Sequence, residues 1–269
     1  MGKPPFPTPG TFSAPPSWRC IDFVSDLHLH EGLDRTTEAF APYLRDTTAD
    51  AVFVLGDLFE AWVGDDMRHE PYEAACTAML RAAGERLHLA IMVGNRDFLL
   101  GRDMLAACAA HPLQDPTVLD AWGQRTLLIH GDALCLADEP YLRFRAQVRQ
   151  PAWQDAFLAA PLAARLAQAR QMREASQQHQ QSQPAQEWAD VDESAAADWM
   201  QAAQATALIH GHTHRPVSQA FGNLPAGAGT PPSAARVRHV LSDWDLDHNN
   251  ARAEVLRLSA TGVTRISLT

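Results

Sequence analysis

The chain has 269 residues, 46% of them hydrophobic and 20% charged, with 32 acidic against 22 basic side chains. That composition excludes wholesale disorder and supports a sizeable core in one or two domains. The net charge of -10 counts against a general nucleic-acid binder, and no nucleic-acid partner is expected.

Residues 1–17 hold six prolines and little patterning, which predicts a flexible leader outside the fold. With one Lys and no apolar stretch, this end does not read as a secretory signal. Five short apolar runs follow, each bounded by turn residues: Ile21 to Val24, Val52 to Leu55, Leu89 to Val93, Leu127 to Ile129 and Ala207 to Ile209. Continuous rather than alternating, they predict strands buried on both faces. Helix-like segments, Thr36 to Arg45 and Tyr72 to Ala83, lie between the first three, giving the βαβ rhythm of an α/β sheet covered by helices.

Residues 138–205 break that rhythm. They are rich in Ala, Leu, Arg and Gln, with helical spacing at Leu158, Leu162 and Leu166, and predict a helical insertion between the fourth and fifth strands. Within it, Gln177 to Gln186 predicts a loop. So do Phe221 to Ala235. The tail offers three strands, Arg238 to Ser242, Ala253 to Leu258 and Val263 to Leu268, expected to pair antiparallel. A core of 18–137 and 206–269 with a 138–205 cap is the expected domain plan. Cys20, Cys76, Cys108 and Cys135 form no Cys-X-X-Cys pair, so a disulfide framework is not expected and a reducing compartment fits. No window approaches 18 consecutive apolar residues, which predicts no transmembrane helix and leaves peripheral membrane association open.

Each of the five runs is followed at once by residues that bind metal or phosphate. These are Asp26-Leu27-His28, Gly56-Asp57, Gly94-Asn95-Arg96-Asp97, His130-Gly131-Asp132 and Gly211-His212-Thr213-His214. Ligands of α/β sheets bind beyond the carboxyl ends of strands, so these blocks would converge. Two carboxylates, one amide oxygen and four imidazoles make a sulfur-free donor set suited to Mn²⁺, Zn²⁺ or Fe. Seven donors exceed what one ion takes while keeping open positions. Two ions sharing a carboxylate fit better, and such pairs clamp both oxygens of a phosphoryl displacement. Singly, each block also reads as an ordinary turn or a surface histidine.

In these blocks the chain resembles the calcineurin-like metallophosphoesterases, whose signature runs Asp-X-His, Gly-Asp, Gly-Asn-His-Asp/Glu, His, Gly-His-X-His. The likeness covers nearly all of residues 20–268. It implies an α/β fold, a β-sandwich flanked by helices, here with a helical insertion. Arg96 stands where most members have a His that acts near the leaving group, and its fixed fork suits a diphosphate. Longer blocks, such as Gly56-Asp57-Leu58-Phe59-Glu60-Ala61-Trp62-Val63-Gly64-Asp65-Asp66 and His210-Gly211-His212-Thr213-His214-Arg215-Pro216, resemble the UDP-2,3-diacylglucosamine hydrolase branch of lipid A biosynthesis.

That resemblance implies a lipid-linked UDP-glucosamine substrate and water attack at the α-phosphorus, giving UMP and 2,3-diacylglucosamine 1-phosphate. It implies two Mn²⁺ ions and a peripheral place on the cytoplasmic face of the bacterial inner membrane, with no obligate protein partner. Asp26, His28, Asp57 and His214 would hold one ion, and Asp57, Asn95, His130 and His212 the other, with Asp57 bridging. Asp57, Asn95, Arg96 and His212 would be catalytic. Asn95, Arg96, His212, Asp138, Arg173 and Ser176 would contact substrate. Gln180 and Gln183 stand where the branch has Asn and Lys. Gln replaces an amide contact but not a Lys charge.

From Tyr141 to Arg173 there are six Arg and one acid, Asp155. Beside a diphosphate site this stretch could guide an anionic lipid headgroup; equally, it could be a helical hairpin with a solvated Arg face. Two rival functions remain: a nucleotide or dinucleoside polyphosphate hydrolase with the same metals, and a non-catalytic scaffold.

Overall fold

The computed structural model describes residues 3–181, 189–220 and 236–269, with side chains described except over 175–181. Twelve strands occur among them. In chain order they and the helices are β1 (Gly10–Ser13), β2 (Cys20–Val24), α1 (Asp34–Asp46), β3 (Ala51–Leu55), α2 (Pro71–Gly84), β4 (His88–Met92), α3 (Arg102–Ala107), β5 (His111–Pro112), β6 (Thr117–Ala121) and β7 (Gln124–Leu128). Then come α4 (Glu139–Val148), α5 (Pro151–Leu158), α6 (Leu162–Gln181), α7 (Glu193–Ala202), β8 (Ala207–His210), β9 (Val217–Ala220), β10 (Val237–Val240), β11 (Glu254–Ser259) and β12 (Gly262–Ser267).

The strands form two six-stranded sheets, ordered β12-β11-β2-β3-β4-β5 and β1-β6-β7-β8-β10-β9. β3 shows why its run is apolar throughout. Ala51, Phe53 and Leu55 pack between the sheets with Phe23, Leu128 and Ile209, while Val52 and Val54 pack outward with Phe40, Leu44 and Leu80 of α1 and α2. Alternate residues thus serve two different cores, so every position must be apolar. The parallel strands β2, β3 and β4 end side by side, and so do β7 and β8. All five expected strands and both expected helices are present, and the architecture is the expected sandwich flanked by helices.

Four expectations need correction. The leader is not outside the fold: Gly10 to Ser13 pair in parallel with Thr117 to Asp120. Phe12 meets Trp18 and Phe53, and Trp199 Nε1 donates to the Pro4 carbonyl at 3.1 Å. Prolines mask a strand in sequence, yet an edge strand tolerates them because half its backbone needs no partner. The first tail strand, β10, pairs parallel with β8 and antiparallel only with β9. α7 does not belong to a separate cap. Its Ala195, Ala196, Trp199 and Met200 pack on Val118, Leu127 and Leu208 of the second sheet. Finally, α6 stays helical through Gln181, into the Gln-rich stretch expected as a loop. The rest of that stretch, and Phe221 to Ala235, lie outside the described residues. β6, β9 and α3 were not foreseen. The four cysteines are free.

Candidate metal centre

Seven side chains gather where the strands end. Asp26 and His28 follow β2, Asp57 follows β3, Asn95 follows β4, His130 follows β7, and His212 and His214 follow β8. Asp26, His28 and His214 offer donor atoms within 4.8 Å of one another, and so do Asp57, His130 and His212. Asn95 joins the second group: its Oδ1 lies 2.9 Å from His130 Nε2 and 2.8 Å from His212 Nδ1. The groups adjoin, since the His212 N–H of the second donates to Asp26 Oδ2 of the first at 2.9 Å.

The tautomers decide what these groups are for. His130 Nδ1 lies 2.9 Å from the Leu55 carbonyl, which only accepts, so that nitrogen carries the proton. His28 Nδ1 meets Glu60 Oε2 at 2.9 Å, and His214 Nδ1 meets Asp243 Oδ2 at 3.4 Å. With the outer nitrogens of His130 and His214 facing acceptors, their Nε2 atoms point into the site, and His28 Nε2 points there too. There they confront other acceptors: His28 Nε2 is 3.3 Å from His214 Nε2, which is 3.3 Å from Asp26 Oδ1. That Asp26 oxygen is buried without a hydrogen-bond partner. Converging lone pairs repel one another unless a cation or proton sits between them, and histidine ligands are held by outer acceptors in this manner. The residues therefore fit a pair of divalent ions.

The charges agree. Burial pushes the His130 imidazole down, but Asp57, Asp132 and Asp26 outweigh it and lift it to about 9. His214 is likewise disfavoured by burial yet raised to about 10 by Asp26 and Asp243. Burial raises the Asp26 carboxyl, and His214, His130 and His28 more than reverse that, leaving it well below the usual carboxylate range. Burial holds His28 and His212 down at about 4. The acids thus favour positive charge beside His130 and His214, and burial keeps His28 and His212 neutral.

Backbone strain marks the same residues. Of nine described non-glycine residues with positive φ, five are Asp26, His28, Asp57, His212 and His214, at 50–68°. Such conformations cost of order 1–3 kcal/mol each and persist only where the surroundings impose them. Glycines let the loops interlock. A Cβ on Gly211 would strike Ser25 Oγ and Asp26, and one on Gly94 would lie 2.5 Å from Asp57 N. Asp97 supplies the frame, accepting from Gly94 N at 2.7 Å and Leu58 N at 2.8 Å. Its oxygens are taken by backbone, so it is not the partner of the Arg96 side chain. The Arg96 N–H donates to Asp57 Oδ1 at 2.8 Å.

A profile of the calcineurin-like phosphoesterases matches residues 21–216, which span all seven donors. The chain belongs to that family. A "UDP-2,3-diacylglucosamine hydrolase" of Xanthomonas oryzae is 41% identical over 251 residues, covering 90% of this chain and 96% of that protein. One of the same name from Chromobacterium violaceum is 41% identical, covering 92% and 98%. Among solved structures, Vps29 from Entamoeba histolytica overlaps with a TM-score of 0.42 at 11% identity, covering 93% of this chain and 99% of that one. The phosphoesterase is accordingly a metal-dependent hydrolase with two candidate metal sites.

In this phosphoesterase the insertion is tied to the centre by its arginines. Arg145 Nε donates to Asp132 at 2.7 Å, and Tyr141 Oη donates to the same carboxylate at 2.5 Å. Arg149 reaches the Gly94 carbonyl at 2.7 Å and lies over Phe98. Arg165, 4% exposed, pairs with Asp66, and Arg173 pairs with Glu60. Arg143 pairs with Glu139 within α4. Arg145, Arg149, Arg165 and Arg173 are thus turned onto the chain itself, which takes most of the charge from a headgroup-guiding patch, while Arg143 and Arg170 keep the exposed position of a solvated face. Asp138 caps α4, accepting from Tyr141 N at 3.0 Å. The side chains of Ser176 and Gln180, and all of Gln183, lie outside the described residues. Sequence reasoning missed Asp243, the acceptor behind His214, and Glu60, which lies 2.9 Å from His28 Nδ1. The signal existed: Asp243 follows β10 as the other acids follow their strands, and Glu60 lies inside the longest matching block.

Proposed function

We propose that this phosphoesterase hydrolyses the diphosphate of UDP-2,3-diacylglucosamine at the α-phosphorus. The products are UMP and 2,3-diacylglucosamine 1-phosphate, a step of lipid A biosynthesis. One observation carries the reading: a two-group donor set lies beside a helical insertion whose Arg149 donates to the carbonyl of Gly94, the residue before the ligand Asn95. The names of the relatives point the same way along nearly the whole chain.

In this reading Asp26, His28, Asp57 and His214 hold one Mn²⁺ and Asp57, Asn95, His130 and His212 the other, with Asp57 shared. Such ions, when bound, polarise the phosphate and acidify water. The chain's own residues do the remainder. Asn95 and Arg96 bind phosphate oxygens, with the guanidinium fork matching two of them. His212 lies next to the substrate. Asp57 is fixed for its role by the Arg96 N–H and by its left-handed backbone. A sugar 1-phosphate leaves with a low proton affinity, so no histidine is required at the Arg96 position.

The insertion, residues 139–181 here, forms the cap. Asp138 and Arg173 contact the glucosamine and its phosphate, and the apolar surface of α4 and α5 takes the acyl chains. Phe144 and Leu158, 38% and 40% exposed, support that assignment. No described helix is long and apolar enough to cross a membrane, and the proposed placement is peripheral, on the cytoplasmic face of the inner membrane.

The test is turnover of the acylated nucleotide in detergent with Mn²⁺ and ¹⁸O-labelled water. Label should appear in UMP. Label in the sugar phosphate would move the attack to the other phosphorus. Faster hydrolysis of soluble dinucleoside polyphosphates than of the acylated nucleotide would overturn the lipid reading.

A further inference from the structure

α4, the first helix of the insertion, lies across the second donor group. Tyr141, Arg145 and Arg149 are spaced four residues apart, so they line one face of the helix and its cap. Tyr141 Oη and Arg145 Nε donate to the same oxygen of Asp132, at 2.5 and 2.7 Å. Asp132 is fully buried, two residues after His130, and starts the turn that follows this ligand. Arg145 also faces Asp115 at 3.7 Å, and Asp115 Oδ1 accepts from His130 N at 3.4 Å. At the other end of the helix Arg149 Nη2 donates at 2.7 Å to the carbonyl of Gly94, one residue before Asn95. The Tyr141 ring lies beside that of His212, with centroids 6.1 Å apart and planes inclined by 29°. The loops of His130 and Asn95 are thus bonded to one helix, and the His212 ring lies against a side chain of the same helix.

We propose that Tyr141 and Arg149 are positioning residues for the second metal site, so that its ion and α4 order one another, which rests on the assignment of Asn95, His130 and His212 to that site and not on the identity of the substrate. Ligands carried on loops keep a coordination geometry only where a rigid element fixes the loops. Here the fixing bonds run to a buried carboxylate and from a guanidinium, so they are charge-assisted. Coupling of this kind is reciprocal: what the helix adds to the affinity for the ion, the ion adds to the order of the helix. The cap and the second site therefore assemble together.

Two variants leave every ligand in place. Tyr141→Phe keeps the ring and removes the hydroxyl from Asp132, and Arg149→Met frees the Gly94 carbonyl. Arg145 is kept, since without it Asp132 and Asp115 would be buried acids lacking a cation. Arg143→Met is the control, because Arg143 is exposed on the same helix and pairs only along it, with Glu139. Mn²⁺ binding to the metal-free protein is followed by calorimetry. Amide hydrogen exchange over residues 139–149 is followed by mass spectrometry with and without Mn²⁺. Tyr141→Phe and Arg149→Met should each weaken one of the two ions by about 10-fold and leave the other unchanged. That loss should persist on a His28→Ala background and vanish on a His130→Ala background. In the wild type Mn²⁺ should slow exchange across 139–149, and in Arg149→Met it should slow it less.

Wild-type affinities in both variants, or an equal loss in Arg143→Met, overturns the positioning role. Exchange over 139–149 that is indifferent to Mn²⁺ overturns the mutual ordering. A wild type that takes up fewer than two ions brings down the two-site assignment itself, and the role of α4 with it.

Discussion

Gly94→Ala tests whether the donor set is held by loops packed to contact. The backbone at Gly94 lies outside the left-handed region, so alanine is permitted there on conformational grounds. Space is the obstacle. The new methyl would stand 2.5 Å from Asp57 N, short of ordinary contact at 3.4 Å by 0.9 Å, and 2.8 Å from Asp57 Cγ. Neither side yields freely. Gly94 is pinned by its N–H to Asp97 and by its carbonyl to Arg149, and Asp57 is pinned by the Arg96 N–H. Overpacking of this kind costs about 1–3 kcal/mol. At about 2–4 °C per kcal/mol, Tm should fall by several degrees. The larger effect is on chemistry, since a reacting group displaced by about 1 Å costs on the order of 100-fold in rate. Melting curves, metal content per chain by mass spectrometry and kcat/KM on the acylated nucleotide read all three. A variant that keeps two ions per chain and turns over within threefold of wild type would refute the close-packing argument.

Arg96→Ala leaves the N–H that holds Asp57, so metal content should persist while kcat falls by about 10²–10³-fold; unimpaired kcat would remove Arg96 from the phosphates. Asp243→Ala strips His214 of its outer acceptor, and calorimetry should show Mn²⁺ binding weakened by about 10–100-fold, with equal affinity counting against the tautomer reading. His88 is held at about 4, below its ordinary 6.5, by burial first and His111 second. Between those values the unfolded chain takes up a proton that the fold refuses, so stability falls as pH drops through this window. His88→Phe should therefore flatten the decline of Tm between pH 7 and pH 5, and parallel curves for variant and wild type would exclude this contribution.

The sites were legible because each ligand directly follows a buried strand, and a buried strand announces itself by an unbroken apolar run. Val52 to Leu55 followed by Gly56-Asp57 states both facts in six residues. Strands with one exposed face or Pro-rich flanks gave no such notice. Val217 to Ala220 is largely exposed, and Gly10 to Ser13 sits among prolines. α7 was visible as a helix, but its partner sheet was not, because the Ala-rich face that meets β7 and β8 resembles the composition of the insertion before it. The arginines of the insertion misled for a similar reason. Composition counts charges, and only the fold shows that Asp132, Asp66 and Glu60 lie opposite Arg145, Arg165 and Arg173. Glu60 and Asp243 were missed because a residue behind a ligand obeys no spacing rule of its own.

The pairing of Gly10 to Ser13 with β6 bears on how this protein is handled. The proline-dense start looks like an obvious piece to trim, yet it is the shield of a sheet margin. Removing it would bare the row of amides and carbonyls on Thr117 to Asp120, in a strand whose Val118 and Leu119 are fully apolar and buried. An uncovered, hydrophobic margin of that kind recruits other chains and promotes aggregation. Shortened versions would then fail in solution for a reason unrelated to the metal centre.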